Sequence, residues 1–71
     1  MDFNKFFGAN VARARMEKGY TQQQLGDCVG LTKSAINDIE KGRRNTLVLK
    51  ALRIAAALDT TVEDLSAGFV E

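Results

Sequence analysis

The sequence contains no histidine, tryptophan or proline, and only one cysteine, Cys28. One thiol cannot form an internal disulfide, and without histidine it cannot complete a zinc site. Histidine is the side chain that most often acts as a general base, and the chain has none. The glycines are scattered singly and form no phosphate-binding loop. A chain of 71 residues has room for one small core and no deep catalytic cleft. These absences predict a protein that is not an enzyme and that needs no metal or cofactor.

Long hydrophobic runs are also missing. No stretch approaches the ~18 apolar residues of a membrane span, and charged side chains interrupt the apolar residues at the N-terminus, unlike in a signal peptide. A single free cysteine fits a reducing compartment. The sequence therefore predicts a soluble, cytoplasmic protein.

Charge is small in total but uneven along the chain. The formal net charge is +1, yet residues 33–53 carry six basic and two acidic side chains, whereas residues 54–71 carry four acidic and no basic ones. Such a division is typical of a protein with one surface that faces a polyanion and another that faces away. A polar face that is merely solvated is the alternative explanation.

Apolar residues recur at helical spacing, and no segment alternates with the period of a strand. We therefore predict an all-α fold of five short helices in a single domain over residues 1–71. The first helix ends at Gly19, and its buried face is formed by Phe3, Phe7, Val11, Ala14 and the aliphatic part of Lys18. The fourth helix runs from about Leu47 to Leu58, and its buried side comprises Val48, Ala51, Leu52, Ala55 and Leu58.

Threonines precede the other three helices as candidate N-caps. Thr21 and Gln24 have the spacing of a capping box at the start of the second helix. Thr32 and Thr61 occupy the corresponding position before the third and fifth helices. Two glycines are predicted to end the second and third helices, Gly30 and Gly42.

Residues 22–41 have the pattern of a helix-turn-helix. Apolar side chains are expected to fix the angle between its two helices, namely Leu25, Val29, Leu31, Ile36 and Ile39. Gly26 is small where the two helices are expected to cross closely, and Gly30 suits a left-handed turn. A fixed angle allows the third helix, over residues 33–41, to project into a DNA major groove.

This pattern resembles the helix-turn-helix of the phage-repressor and Cro-like (XRE) family of bacterial and phage transcription regulators, in the size class of restriction–modification controllers. The resemblance extends from Phe7 to Leu65 and includes KGYTQ at 18–22, IEKG at 39–42, IAAAL at 54–58 and VEDL at 62–65. The sequence departs from the family at Thr46, where proline is common, and at Leu47 and Leu49, where polar residues are common. The resemblance implies a compact, lambda-repressor-like DNA-binding domain.

The third helix is expected to turn a polar face outward, because its apolar residues face the core. Polar and charged side chains can meet base edges in the groove, and arginines in the following loop can meet phosphates. The resemblance implies base contacts by Lys33, Ser34 and Asp38, and a phosphate contact by Gln22, which also braces the recognition helix. An ion pair with Lys41 is the alternative role for Asp38. The full set that we expect at the DNA is Gln22, Thr32, Lys33, Ser34, Asn37, Asp38, Lys41, Arg43 and Arg44.

Other residues are expected to have structural roles. The resemblance implies an ion pair of Arg15 with Glu40 between the first and third helices. We expect Cys28 to be a small, half-buried filler of the core. Four aromatic residues are expected in the core or in an interface, namely Phe3, Phe6, Phe7 and Tyr20.

The sequence thus predicts a sequence-specific double-stranded DNA-binding transcription regulator, which at its operator would lie at the nucleoid and block or recruit RNA polymerase. One short recognition helix reads too few base pairs, so we expect a homodimer on a (pseudo)palindromic operator. The predicted interface lies in the fourth and fifth helices and comprises Leu47, Leu49, Leu65, Phe69 and Val70. The alternative is an antitoxin-type or other protein-interaction module in which DNA binding is secondary. The short segment after Leu65 favours the regulator, because antitoxins usually need an extension that wraps a toxin.

Overall fold

The computed structural model describes residues 2–69, which form five α-helices and no strand. The all-α, five-helix prediction is therefore confirmed. None of the helices in this part of the chain is both long and apolar enough to cross a membrane. The helices are α1 (Phe3–Glu17), α2 (Gln22–Val29), α3 (Lys33–Glu40), α4 (Val48–Ala57) and α5 (Val62–Ser66).

The predicted threonine caps are confirmed. The hydroxyl of Thr21 accepts a hydrogen bond from the backbone N–H of Gln24 at 3.0 Å, and the side chain of Gln24 accepts one from the backbone N–H of Thr21 at 2.8 Å. Thr32 and Thr61 each accept a hydrogen bond of 3.0 Å from the backbone N–H three residues later. Each cap satisfies a donor that the first turn of a helix leaves without a partner. The starts of α2, α3 and α5 are therefore encoded locally.

The core lies where α1, α2, α3 and α4 meet, with α5 closing one end. Its largest fully buried side chains are Leu25, Ile36, Ile54 and Val11. The buried amide of Asn10 donates to the carbonyl oxygen of Leu65 at 2.7 Å and so ties α1 to α5. The sequence pattern did not predict this hydrogen bond between α1 and α5.

The prediction for α4 is wrong at two positions. Val48 is 76% exposed and Leu52 is 52% exposed, whereas Ile54, which was not predicted to be buried, is fully buried. The remaining positions of the predicted face are buried as expected, namely Ala51, Ala55 and Leu58. Because α4 packs mainly on α2 and α5, α1 leaves the Val48 and Leu52 side of α4 uncovered.

Two glycines mark places where backbones approach each other closely. A Cβ on Gly8 of α1 would collide with the carbonyl oxygens at the end of α3, including that of Glu40 at 2.8 Å. A Cβ on Gly26 would collide with the carbonyl oxygen of Leu31, in the turn between α2 and α3. The close approach predicted at Gly26 is therefore with the connecting turn and not with a crossing helix.

Two further predictions about buried residues need correction. Cys28 is exposed on α2 and fills no space in the core. Of the aromatic residues, Phe7 is buried and Tyr20 packs partly buried against the core, but Phe3 remains 42% exposed. Phe6 is half-buried, and its ring lies 5.5 Å from that of Phe69. The aromatic residues of α1 therefore lie both in the core and at its edge.

Candidate nucleic-acid interface

A tight turn joins α2 to α3 and holds them at a fixed angle. Gly30 adopts the left-handed conformation with φ of 72°, and the N–H of the next residue, Leu31, donates to the carbonyl oxygen of Gly26 at 2.9 Å. The facing sides of the two helices are buried, through Leu25 and Val29 on α2 and through Ala35, Ile36 and Ile39 on α3. The apolar contact predicted for the helix-turn-helix is therefore confirmed.

The outward face of α3 carries the polar residues predicted to lie there. Lys33, Ser34 and Lys41 are exposed, and Asn37 and Asp38 are half-buried. Thr32, at the N-cap, is also exposed, although its hydroxyl already caps α3. The structure thus brings basic, hydroxyl, amide and carboxylate groups together on one helix face.

Gln22 connects the start of α2 to α3. Its Nε2 donates to Oδ1 of Asn37 at 3.2 Å and to Oε1 of Glu40 at 3.0 Å. The predicted bracing role is therefore confirmed. An amide nitrogen has two hydrogens, and both are used within the protein. The phosphate contact predicted for Gln22 stays a prediction.

A buried ion pair fixes the other end of α3. Nε of Arg15 lies 2.6 Å from Oε2 of Glu40, and the two side chains are only 14% and 6% exposed. Arg15 also donates to the carbonyl oxygen of Tyr20 at 2.7 Å. The predicted pair between α1 and α3 is therefore confirmed, and no side-chain N or O atom buried in the described part of the chain lacks a hydrogen-bond partner.

The end of α3 brings Asp38 next to the basic loop. The backbone N–H of Arg43 donates to the carbonyl oxygen of Asp38 at 2.9 Å, and Gly42 takes a φ of 70°. This geometry places Nη1 of Arg43 3.8 Å from Oδ1 of Asp38. The partner proposed for this carboxylate from sequence, Lys41, is wrong, because the turn after Gly42 folds Arg43 back over the last turn of α3.

The start of α1 adjoins the same loop, which the sequence did not reveal. A Cβ on Gly42 would lie only 2.6 Å from Cα of Lys5, and Nδ2 of Asn4 donates to Oδ1 of Asn45 at 2.5 Å. Lys5 therefore adds a further exposed basic residue beside Gly42, where the basic loop begins. No local signal identifies this neighbour, because the contact joins residues that are distant in the chain.

The residues predicted to contact a second copy differ from one another in exposure. Leu47 and Leu49 are 72% and 58% exposed. Leu65 is 4% exposed and belongs to the chain's own core, so its side chain is not accessible to a second copy. Phe69 is half-buried against Phe3, with ring centroids 5.0 Å apart. Val70 lies outside the described residues.

A separate apolar surface appears between α1 and α4. We call it the α4 patch, and it consists of Phe3, Val48, Leu49 and Leu52. Three of these residues line a cavity of about 200 Å³, with Phe7, Ala51 and Val62 among the other walls. Contiguous apolar surface of this kind is uncommon on small monomeric proteins.

Two helices held at a fixed angle, the second with an outward polar face and a basic loop behind it, define a helix-turn-helix protein. The helix-turn-helix family model matches residues 11–65, and the chain belongs to this family. The resemblance noted from the sequence is thereby confirmed. Members of this family are transcription regulators that bind DNA and are not enzymes.

Known proteins resemble the chain in both sequence and fold. A helix-turn-helix-type transcriptional regulator of Sinorhizobium fredii is 37% identical over 65 residues, which covers 92% of this chain and 84% of the relative. The restriction–modification controller protein C.AhdI of Aeromonas hydrophila is 33% identical with a TM-score of 0.82, covering 86% of this chain and 92% of that one. SinR, a master regulator for biofilm formation solved in complex with DNA, is 30% identical with a TM-score of 0.78, covering 83% and 95%.

Proposed function

We propose that this protein is a sequence-specific regulator that inserts α3 into the major groove of an operator and binds as a homodimer. The single observation that carries the proposal is the way α3 is held. Glu40 joins α3 to Arg15 of α1 and to Gln22 of α2, while the opposite face of α3 stays polar and exposed. A rigidly held helix with free polar groups is what base reading requires.

We assign the base contacts to polar side chains on the outward face of α3. Lys33 and Ser34 lie exposed at its start, where Lys33 can donate to the acceptors of guanine. The carboxylate of Asp38 can accept from the amino group of cytosine. Asn37 is oriented by Gln22, because its Oδ1 accepts a hydrogen bond from Nε2 of Gln22. Its Nδ2 can donate to a base edge, and the second lone pair of its Oδ1 can still accept from the amino group of adenine.

The phosphate contacts come from the basic loop and its neighbours. Lys41 is exposed immediately after α3, Arg43 and Arg44 follow Gly42 in the loop, and Lys5 lies against Gly42. The N-terminus of α4 follows the same loop, and Leu47 provides no side-chain cap for it. Its first N–H groups are therefore suited to a phosphate oxygen.

Two copies are needed because one short helix reads only a few base pairs. A two-fold dimer would separate its recognition helices by about 34 Å, one turn of DNA. The α4 patch, together with Leu47, supplies the exposed apolar residues that a second copy would bury. An operator that overlaps or adjoins a promoter would then let the bound dimer block or recruit RNA polymerase.

Selection of DNA from a random pool by the purified protein tests this proposal. The expected product is a two-fold repeated sequence. In fluorescence anisotropy, Lys33→Ala is expected to relax preference at particular base pairs, by about 1–3 kcal/mol for a lost base contact. Its matched control, Arg44→Ala, is expected to weaken binding to all sequences equally. Failure to enrich any sequence would contradict the proposal.

A protein-interaction module is the second candidate, and the α4 patch is the observation that favours it. In that case the apolar residues of α4 would bind a different protein, and DNA binding would be secondary. The selection experiment separates the two functions, because only the regulator enriches a defined sequence.

A further inference from the structure

Asp38 and Arg43 form an ion pair at the edge of the proposed DNA surface. The carboxylate lies on the outward face of α3, and the guanidinium lies in the loop that follows. The backbone bond from the N–H of Arg43 to the carbonyl oxygen of Asp38 keeps the two residues adjacent. The two side chains that are suited to a base edge and to a phosphate are therefore already partners within the protein.

This ion pair is weak and open to exchange. Its N–O distance of 3.8 Å exceeds hydrogen-bond length, and the side chains of Arg43 and Asp38 are 61% and 42% exposed. A phosphate offers Arg43 a shorter, bidentate contact. The carboxylate, however, is repelled by nearby phosphates unless a donor compensates its charge. Whether Arg43 leaves Asp38 therefore depends on what else Asp38 can bind.

We propose that Asp38 makes the phosphate contact of Arg43 depend on DNA sequence. On a matching site, the carboxylate accepts a hydrogen bond from a cytosine amino group, and Arg43 is released to a phosphate. On other DNA, Asp38 finds no donor and retains Arg43, so that Arg43 neutralises no phosphate there. This inference rests on the proposed function, and it assigns Asp38 a role in specificity beyond its own base contact.

Salt dependence measures the exchange directly, because each neutralised phosphate releases counterions. Affinities would be measured at several salt concentrations for an operator selected by the protein and for a scrambled duplex of the same length and composition. The slope of log affinity against log salt is expected to be steeper on the operator than on the scrambled duplex. The released Arg43 should account for about 0.9 of this difference per bound subunit, and any other difference in phosphate contacts adds to it. Arg43→Ala should remove this increment by making the operator slope shallower.

A change at Asp38 should alter the salt slope on the scrambled duplex, whereas Arg43→Ala alters it on the operator. Asp38→Asn keeps the size of the side chain but removes its charge, so Arg43 becomes free on both duplexes. The scrambled duplex should then show the steeper slope and tighter binding, and discrimination between the duplexes should fall about tenfold. Glu17→Gln removes one negative charge from an exposed site at the far end of α1 and should leave the slope difference unchanged.

Arg44→Ala is the matched control for Arg43. Arg44 is the adjacent basic residue, and it makes no ion pair within residues 2–69. Its removal should make both slopes shallower by the same amount and preserve their difference. An Arg43→Ala variant that behaves like Arg44→Ala overturns the exchange, as does uniformly tighter binding by Asp38→Asn with no change in slopes. Selection of no operator at all would instead overturn the proposed function.

Discussion

Arg15 and Glu40 join α1 to the end of α3 through two hydrogen bonds. Nε of Arg15 donates to Oε2 of Glu40 at 2.6 Å, and Nη2 donates to Oε1 at 3.2 Å. Gln22 donates to the same carboxylate at 3.0 Å. One largely buried carboxylate therefore fixes the orientation of α3 relative to both α1 and α2.

Removal of this carboxylate is expected to destabilise the fold. Glu40→Ala leaves the mostly buried charge of Arg15 without a carboxylate to balance it, and the free energy of unfolding should fall by about 3 kcal/mol. Urea unfolding followed by circular dichroism measures the loss. The double variant Arg15→Met with Glu40→Leu removes both charges and should recover part of it. A loss below about 1 kcal/mol in Glu40→Ala would contradict the structural role of the pair.

A methyl group at Gly8 is expected to separate α1 from α3. In an exposed helix, replacement of glycine by alanine stabilises by up to about 1 kcal/mol, through helix propensity. At Gly8 the new Cβ would collide with carbonyl oxygens of α3, and we expect a net loss of about 2 kcal/mol in the free energy of unfolding. Ala9→Gly, at the adjacent exposed position, is the control and should cost about 1 kcal/mol. Stabilisation by Gly8→Ala would contradict the close approach of the two helices.

A charge in the α4 patch is expected to prevent association. Leu49 is 58% exposed, so Leu49→Asp should leave the folded chain intact but place a carboxylate in the proposed dimer interface. Sedimentation at tens of micromolar should show a dimer for the unmodified protein and a monomer for this variant, with weaker operator binding. Met16→Asp is the matched control, since Met16 is 61% exposed on α1 outside the patch, and it should remain dimeric. A monomeric unmodified protein would refute the dimer.

Alkaline pH is expected to weaken the contact between Lys18 and Asp59. The hydrogen bond from Nζ of Lys18 to the carboxylate of Asp59 raises the pKa of Lys18 above its usual value of 10.5. A lysine with a raised pKa in the folded state stabilises the fold below the unfolded pKa, and this contribution is lost as the pH rises through the folded pKa. The contact is exposed, so the effect should be small.

The variant Asp59→Asn isolates this effect. Asparagine tolerates the left-handed backbone of this position, where φ is 55°, and it removes the charge without strain. Between about pH 9 and about pH 12, the unmodified protein should lose more thermal stability than the variant. If the melting temperatures of the two proteins fall equally over this pH range, the contact between Lys18 and Asp59 does not contribute to thermal stability.

The helix starts and much of the core were predictable because they depend on short-range relationships. Thr21, Thr32 and Thr61 cap helices by bonds that join residues three positions apart, so the sequence alone specifies them. Helical periodicity likewise identified the buried face of α3. The same reasoning failed at Val48 and Leu52, because periodicity shows which residues share a face but not how far a neighbouring helix covers it.

The order of residues along the chain is sufficient to predict the five helices, the threonine caps of α2, α3 and α5, and the helix-turn-helix pattern, since each follows from contacts within one or two turns of chain. Which groups from distant segments meet depends instead on how the helices pack. Packing places Lys5 beside Gly42, brings carbonyl oxygens at the end of α3 against Gly8, and joins the amide of Asn10 to the carbonyl oxygen of Leu65. These contacts depend on the angles at which helices cross, and those angles result from packing of the whole core at once.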